Sequence, residues 1–148
     1  MKSQLTFVMA ALLMCLGAFG CAKQGETPAA TAGAENAADG PASIAVPANL
    51  LDLVAKADPK VGEALYLSKG CKACHNLTDV KLVGPGFKGV TGRRSLTWMG
   101  RMILHPEVMI KEDPEAKKLF AAMMAPMANQ NVAAETELPA LLAFLKTL

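Results

Sequence analysis

Aromatic residues are scarce, with one Trp, one Tyr and five Phe in 148 residues, and there are only two His and four Cys. The charge is nearly balanced at a formal +2, and its cations are scattered along the chain. A protein without a basic stripe or interleaved aromatics lacks the footprint of a nucleic-acid binder. No stretch alternates β-branched with polar residues over the length of a strand, which disfavours a β architecture, and no segment repeats internally. The one long apolar run, Leu5 to Phe19, is short of the roughly 20 residues that a membrane-spanning helix needs.

That run has a different use. Met1 to Gly20 carries a single cation at Lys2, then the apolar run, then small residues ending at Gly20, which resembles a secretory signal peptide. The mature chain is therefore expected on the periplasmic side of a bacterial membrane. The next residue closes the stretch "LGAFGC", which resembles a bacterial lipobox. The resemblance implies that Cys21 is lipidated and anchors the chain, whereas cleavage by the ordinary signal peptidase would leave it soluble. Cys15 lies inside the run and is discarded either way. Residues 22 to 48 are rich in Ala, Gly, Pro, Thr and Glu. Such a segment buries too little apolar surface to offset its ordering entropy and reads as a linker. The expected organisation is a signal peptide at 1–20, a disordered tether at 21–49 and a folded domain at 50–148. A domain of about 100 residues is marginal without a disulfide, a metal or a cofactor.

The domain reads as helical. Asp58 and Pro59 predict a helix start, as N-cap and first helical residue, and Gly70 predicts its end after Lys69. Gly62 and Tyr66 share one face of that helix. Ser95 predicts the cap of a second helix running to Leu104, with Leu96, Trp98, Met99 and Ile103 on its apolar side and Pro106 ending it. A shorter piece follows Asp113-Pro114 through Leu119 and Phe120. A last helix from about Thr136 tolerates Pro139 in its first turn and presents Leu138, Leu141, Leu142, Leu145 and Leu148, with Phe144 beside them.

The chemistry concentrates in "CKACH", Cys71 to His75. C-x-x-C-H has three readings: haem attachment, a thioredoxin-like dithiol, or part of a metal site. A dithiol motif needs a βαβ setting, and no strands are visible. A Cys2His2 zinc site drawn from Cys71, Cys74, His75 and His105 would require adjacent residues to reach one tetrahedral ion. Haem accounts for the whole motif: the two cysteines form thioethers on one side of the porphyrin and His75 falls beneath the iron.

The order of the pieces extends this. The Gly62–Tyr66 helix, "CKACH", "LVGPGFKGV" (82–90), "RRSLTWMGRMILHPEVM" (93–109) and the terminal "LPALLAFLKTL" together resemble a class I, monohaem c-type cytochrome of the small bacterial kind. The resemblance implies an all-α fold of about four helices around one covalent haem c, and a methionine as the second iron ligand from a loop ahead of the final helix. Met127 in "APMANQNV" stands at that place, with Met124 and Met123 as alternatives. His105 would give bis-histidine ligation instead, but it closes a helix before a proline, where a surface histidine suits the helix dipole. Pro85 matches the family proline whose carbonyl orients the proximal histidine. Gly84 and Gly86 would bring backbone close to the porphyrin, and Arg93, Arg94 and Trp98 are candidate donors to the propionates. The implied function is one-electron transfer between redox proteins, without catalysis. A tethered haem subunit of an oxidoreductase complex and a haem-based sensor are the alternatives. Lys69, Lys72, Lys81 and Lys88 lie near the motif and could steer an acidic partner.

Overall fold

The computed structural model describes residues 39–148. The expected signal peptide, the lipidation site at Cys21 and the tether up to residue 38 lie outside them. The described residues form six α-helices and no strand: α1 (Leu50–Lys56), α2 (Pro59–Ser68), α3 (Leu96–Leu104), α4 (Pro106–Glu112), α5 (Pro114–Met123) and α6 (Leu138–Leu145). The all-α class stands, with six helices where about four were expected.

The crossing of α2 on α6 organises the body. The Asp58 side chain accepts from Lys60 N–H at 2.9 Å and Pro59 opens α2, so the helix starts where its first-turn donors are satisfied. A Cβ added at Gly62 would lie 2.0 Å from the Ala140 carbonyl oxygen and 2.7 Å from Phe144 Cβ. Only glycine permits that approach. All eight residues of α6 are buried, and Leu138 and Leu142 are fully so. Each such leucine contributes about 1.5–3 kcal/mol by leaving water. Leu50 and Val54 of α1 and Tyr66 of α2 join the same core.

Three helices carry the other wall. Ser95 caps α3 by accepting from Trp98 N–H at 3.0 Å. Pro106 does end α3, yet it also serves as the first residue of α4, because proline fits that position as well as it stops a preceding helix. Asp113 caps α5 through Ala116 N–H at 2.7 Å and also accepts the Trp98 indole N–H at 3.1 Å. Its burial is therefore satisfied by two donors.

The expected tether boundary at residue 49 differs from what is seen. Within 39–49, Ile44 is 2% exposed and packs in the core. Arg101, itself buried, donates to the carbonyl oxygens of Asp39, Gly40 and Ile44. Ser43 donates to Glu112 at 2.7 Å. The alanine-rich composition concealed a short strap whose carbonyls satisfy a buried guanidinium.

Candidate haem site

Gly70, at φ 76°, turns the chain out of α2 into a single 3-10 turn, Cys71–Ala73. His75 N–H closes back on the Cys71 carbonyl at 3.0 Å, so the motif is a compact knuckle. Neither Cys71 nor Cys74 is in a disulfide; Cys74 is exposed, while Cys71 is half-buried. Burial raises the Cys71 thiol above its ordinary pKa, which keeps it protonated at neutral pH.

His75 is held from four directions. Its Nδ1–H donates to the Pro85 carbonyl oxygen at 2.9 Å. Phe87 stacks on the imidazole at 4.4 Å between ring centres and 10° between planes. The Tyr66 hydroxyl donates to the His75 carbonyl. Gly84 lies against the ring, where an added Cβ would come within 2.5 Å of Cε1. Burial lowers the imidazole pKa, opposed in part by the bond to Pro85. The ring is thus neutral, and with Nδ1 committed to a carbonyl its Nε2 retains a lone pair.

His75, Cys71 and Cys74 line a largely apolar cavity of about 340 Å³. Its walls also include Met99, Met102 and Ile103 from α3, Leu119, Phe120 and Met123 from α5, Met127 and Val132 from the following loop, and Leu141 and Leu145 from α6. The cavity and the neutral imidazole suit haem: a flat apolar macrocycle, a free basic nitrogen and two available thiols belong together.

The sequence candidates divide. Met123 and Met127 both reach the cavity wall, whereas Met124 caps α5 in the left-handed region at φ 55° and is 86% exposed, away from the lining. Met109 is fully buried but does not line the cavity. Met99 and Met102, both on α3, do line it. His105 is exposed, beside Glu107 at 3.3 Å, and not on the cavity wall. Among the described residues no group of three or more His, Cys, Asp or Glu is arranged to hold a metal ion. The zinc and bis-histidine readings thus have no geometry here.

Arg93 and Arg94 line the cavity. Arg93 donates to the Gly86 and Lys88 carbonyls, while Arg94 pairs with Glu115 at 3.2 Å and lies 5.0 Å over the Trp98 ring. Trp98 has its indole N–H engaged by Asp113. Gly86 accommodates the Thr78 carbonyl, 2.2 Å from an added Cβ, and so serves backbone packing. Two contributors went unseen in the sequence: the Phe87 stack and the Tyr66 hydroxyl on His75. A lone aromatic after "GPG" hints at the first; nothing local signals the second. Of the four lysines, Lys69 pairs with Glu137 at 2.7 Å and Lys81 donates to the Ala122 carbonyl at 2.9 Å. Lys72 and Lys88 are exposed.

A small helical body that sets a C-x-x-C-H knuckle and an oriented histidine on an apolar cavity defines a class I haem protein of the covalent type. The family model "Cytochrome c" matches residues 60–148. A stretch of 34 residues is 56% identical to cytochrome c-551 of Azotobacter vinelandii, covering 23% of this chain and 40% of that protein; the chain thus spans less than half the length of this curated relative. The structure is similar to a cytochrome c from Rhodothermus marinus at 28% identity and TM-score 0.58, covering 75% of this chain and 91% of that one. It is also similar to an engineered cytochrome c from the same organism, at 26% identity and TM-score 0.57, covering 75% and 92%. The chain belongs to the cytochrome c family, as a class I c-type cytochrome with covalently bound haem c.

Proposed function

We propose that the protein is a one-electron carrier whose haem c is joined through thioethers to Cys71 and Cys74 and ligated by His75 and Met127. The haem supplies the reversible iron couple. Cys71 and Cys74 fix it covalently, His75 presents Nε2 to the iron, and the Pro85 carbonyl and Phe87 keep that ring from turning. Met127, from the cavity wall, would hold the iron through a soft thioether, which favours the reduced state. With His75 and Met127 both holding the iron, the bound haem would exchange electrons and leave no place for a substrate, so the protein is read as a carrier and not an enzyme. The observation that carries this reading is the His75 geometry: buried, neutral, with Nδ1 spent on Pro85 and the ring on the cavity wall.

The wider setting follows from the sequence. We assign residues 1–20 to an export signal and Cys21 to a lipid anchor on the periplasmic side, followed by a tether and the haem domain. No helix among the described residues is long and apolar enough to cross a membrane. Donor and acceptor are redox proteins that meet the haem edge, with the exposed Lys72 and Lys88 favouring an acidic surface. A redox titration of the purified protein tests the proposal: a single one-electron wave and no binding of carbon monoxide by the reduced form are expected. Tight carbon monoxide binding by the wild type would replace the carrier with a ligand-binding sensor.

A further inference from the structure

The loop bearing Met127 is fastened at two points, and we propose that Lys69 and Asn129 are positioning residues that set how readily the Met127 sulfur leaves the iron. This rests on Met127 being the distal ligand and goes further by naming what holds it.

Asn129, two residues beyond Met127, uses both ends of its amide. Nδ2–H donates to the Leu104 carbonyl at 2.8 Å, and Oδ1 accepts from Asn131 N–H at 2.8 Å. Leu104 ends α3, so its carbonyl belongs to the last-turn set that has no partner within the helix. The first pin therefore joins the loop to α3, which supplies Met99, Met102 and Ile103 to the cavity wall.

The second pin comes from the opposite side. Asn131 sits at φ 51°, a region that asparagine tolerates better than most residues. Its carbonyl accepts from Lys69 Nζ at 3.1 Å. The same ammonium lies 2.7 Å from Glu137 Oε2, which also accepts from Ala133 N–H at 2.8 Å. Lys69 holds the Glu137 carboxyl below its ordinary pKa, so that carboxylate is ionised at neutral pH. The two side chains are only 23% and 27% exposed, where a charge-assisted bond keeps more of its strength than at an open surface. Lys69 caps α2 immediately before Gly70 and Cys71. One ammonium thus links the segment holding the proximal side of the haem to the loop holding the distal side.

A sulfur–iron bond competes with the conformational freedom that the loop regains on release. Each pin removes part of that freedom. Loss of either one should raise the population with the sulfur displaced while the thioethers and His75 stay in place.

Imidazole is the probe. Oxidised holoprotein is titrated with it, the loss of the long-wavelength sulfur–iron charge-transfer band is followed, and circular dichroism fixes a temperature at which every variant is folded. Lys69→Met and Asn129→Ala are expected to bind imidazole about threefold to tenfold more tightly than wild type, in proportion to the open population. Lys69→Arg should restore most of the wild-type value, and Lys60→Met, which removes an equivalent charge from the exposed first turn of α2, should match wild type. Equal imidazole affinity in wild type, Lys69→Met and Asn129→Ala overturns the assignment, and so does a lowered unfolding midpoint with unchanged affinity, which would make both residues merely structural. A wild type without the band overturns the Met127 ligation and this inference with it; a wild type with the band and unmoved variants overturns this inference alone.

Discussion

The Nδ1 of His75 lies 2.9 Å from the carbonyl oxygen of Pro85. A backbone acceptor cannot rotate away or titrate, so this bond fixes both the tautomer and the direction of Nε2 more firmly than a side-chain partner would. The loop that carries Pro85 is itself tied to the motif, through Gly84 N–H on the Cys74 carbonyl at 2.8 Å and Phe87 N–H on the Asn76 carbonyl at 2.9 Å. Replacement of Gly84 by Ala forces a Cβ against the imidazole. The expected result is a shifted reduction potential with the haem still covalently held, measured by potentiometry and denaturing electrophoresis with haem stain; an unchanged potential would show that the ring tolerates displacement.

Gly62→Ala places a methyl group 2.0 Å from the Ala140 carbonyl oxygen. Relief requires moving α2 from α6, since the obstacle is backbone. A loss of about 1–3 kcal/mol or more is expected in denaturant unfolding, the range for overpacked cores. A midpoint equal to wild type would mean that the helices do not cross so closely.

A chain that begins at Leu50 lacks the strap. It loses the burial of Ile44 and three carbonyl acceptors of the buried Arg101. Relative to a chain beginning at Ala22, it should be less stable by about 3 kcal/mol or more, combining one aliphatic side chain with unsatisfied donors. Equal denaturation midpoints would return residues 39–49 to the tether.

Cys21→Ser should abolish incorporation of labelled fatty acid and release the protein into the soluble periplasmic fraction, because two acyl chains bury far more CH2 groups than the following segment can. Labelling that persists in the variant would exclude Cys21.

The elements legible in the sequence are those whose cause is local. Asp58, Ser95 and Asp113 each cap the helix that follows them, and C-x-x-C-H carries its spacing within five residues. The strap was illegible because Ile44 and Arg101 are 57 residues apart and nothing near either one announces the other. Helices α1 and α4, seven residues each, are too short to show a period. Pro106 misled because one proline both ends α3 and begins α4. Among the methionines, a thioether has no sequence signature, and only the fold separates Met124, turned outward, from Met123 and Met127 on the cavity wall.

The proposed thioether attachment gives the haem two separate bonds to the chain. Cys71→Ser and Cys74→Ser should each weaken haem retention on a denaturing gel, and the double variant should lose it entirely. Full staining of the double variant would remove the thioether assignment.

The central claim, an iron held between His75 and Met127, is tested most directly by the absorption spectrum of oxidised Met127→Leu beside Met123→Leu and Met124→Leu. The long-wavelength charge-transfer band of a thioether on Fe(III) should vanish in Met127→Leu alone, with a lowered reduction potential and new carbon monoxide binding, while the haem stays covalently attached. A band that survives Met127→Leu contradicts the assignment, and its disappearance in Met123→Leu would transfer the role to that sulfur.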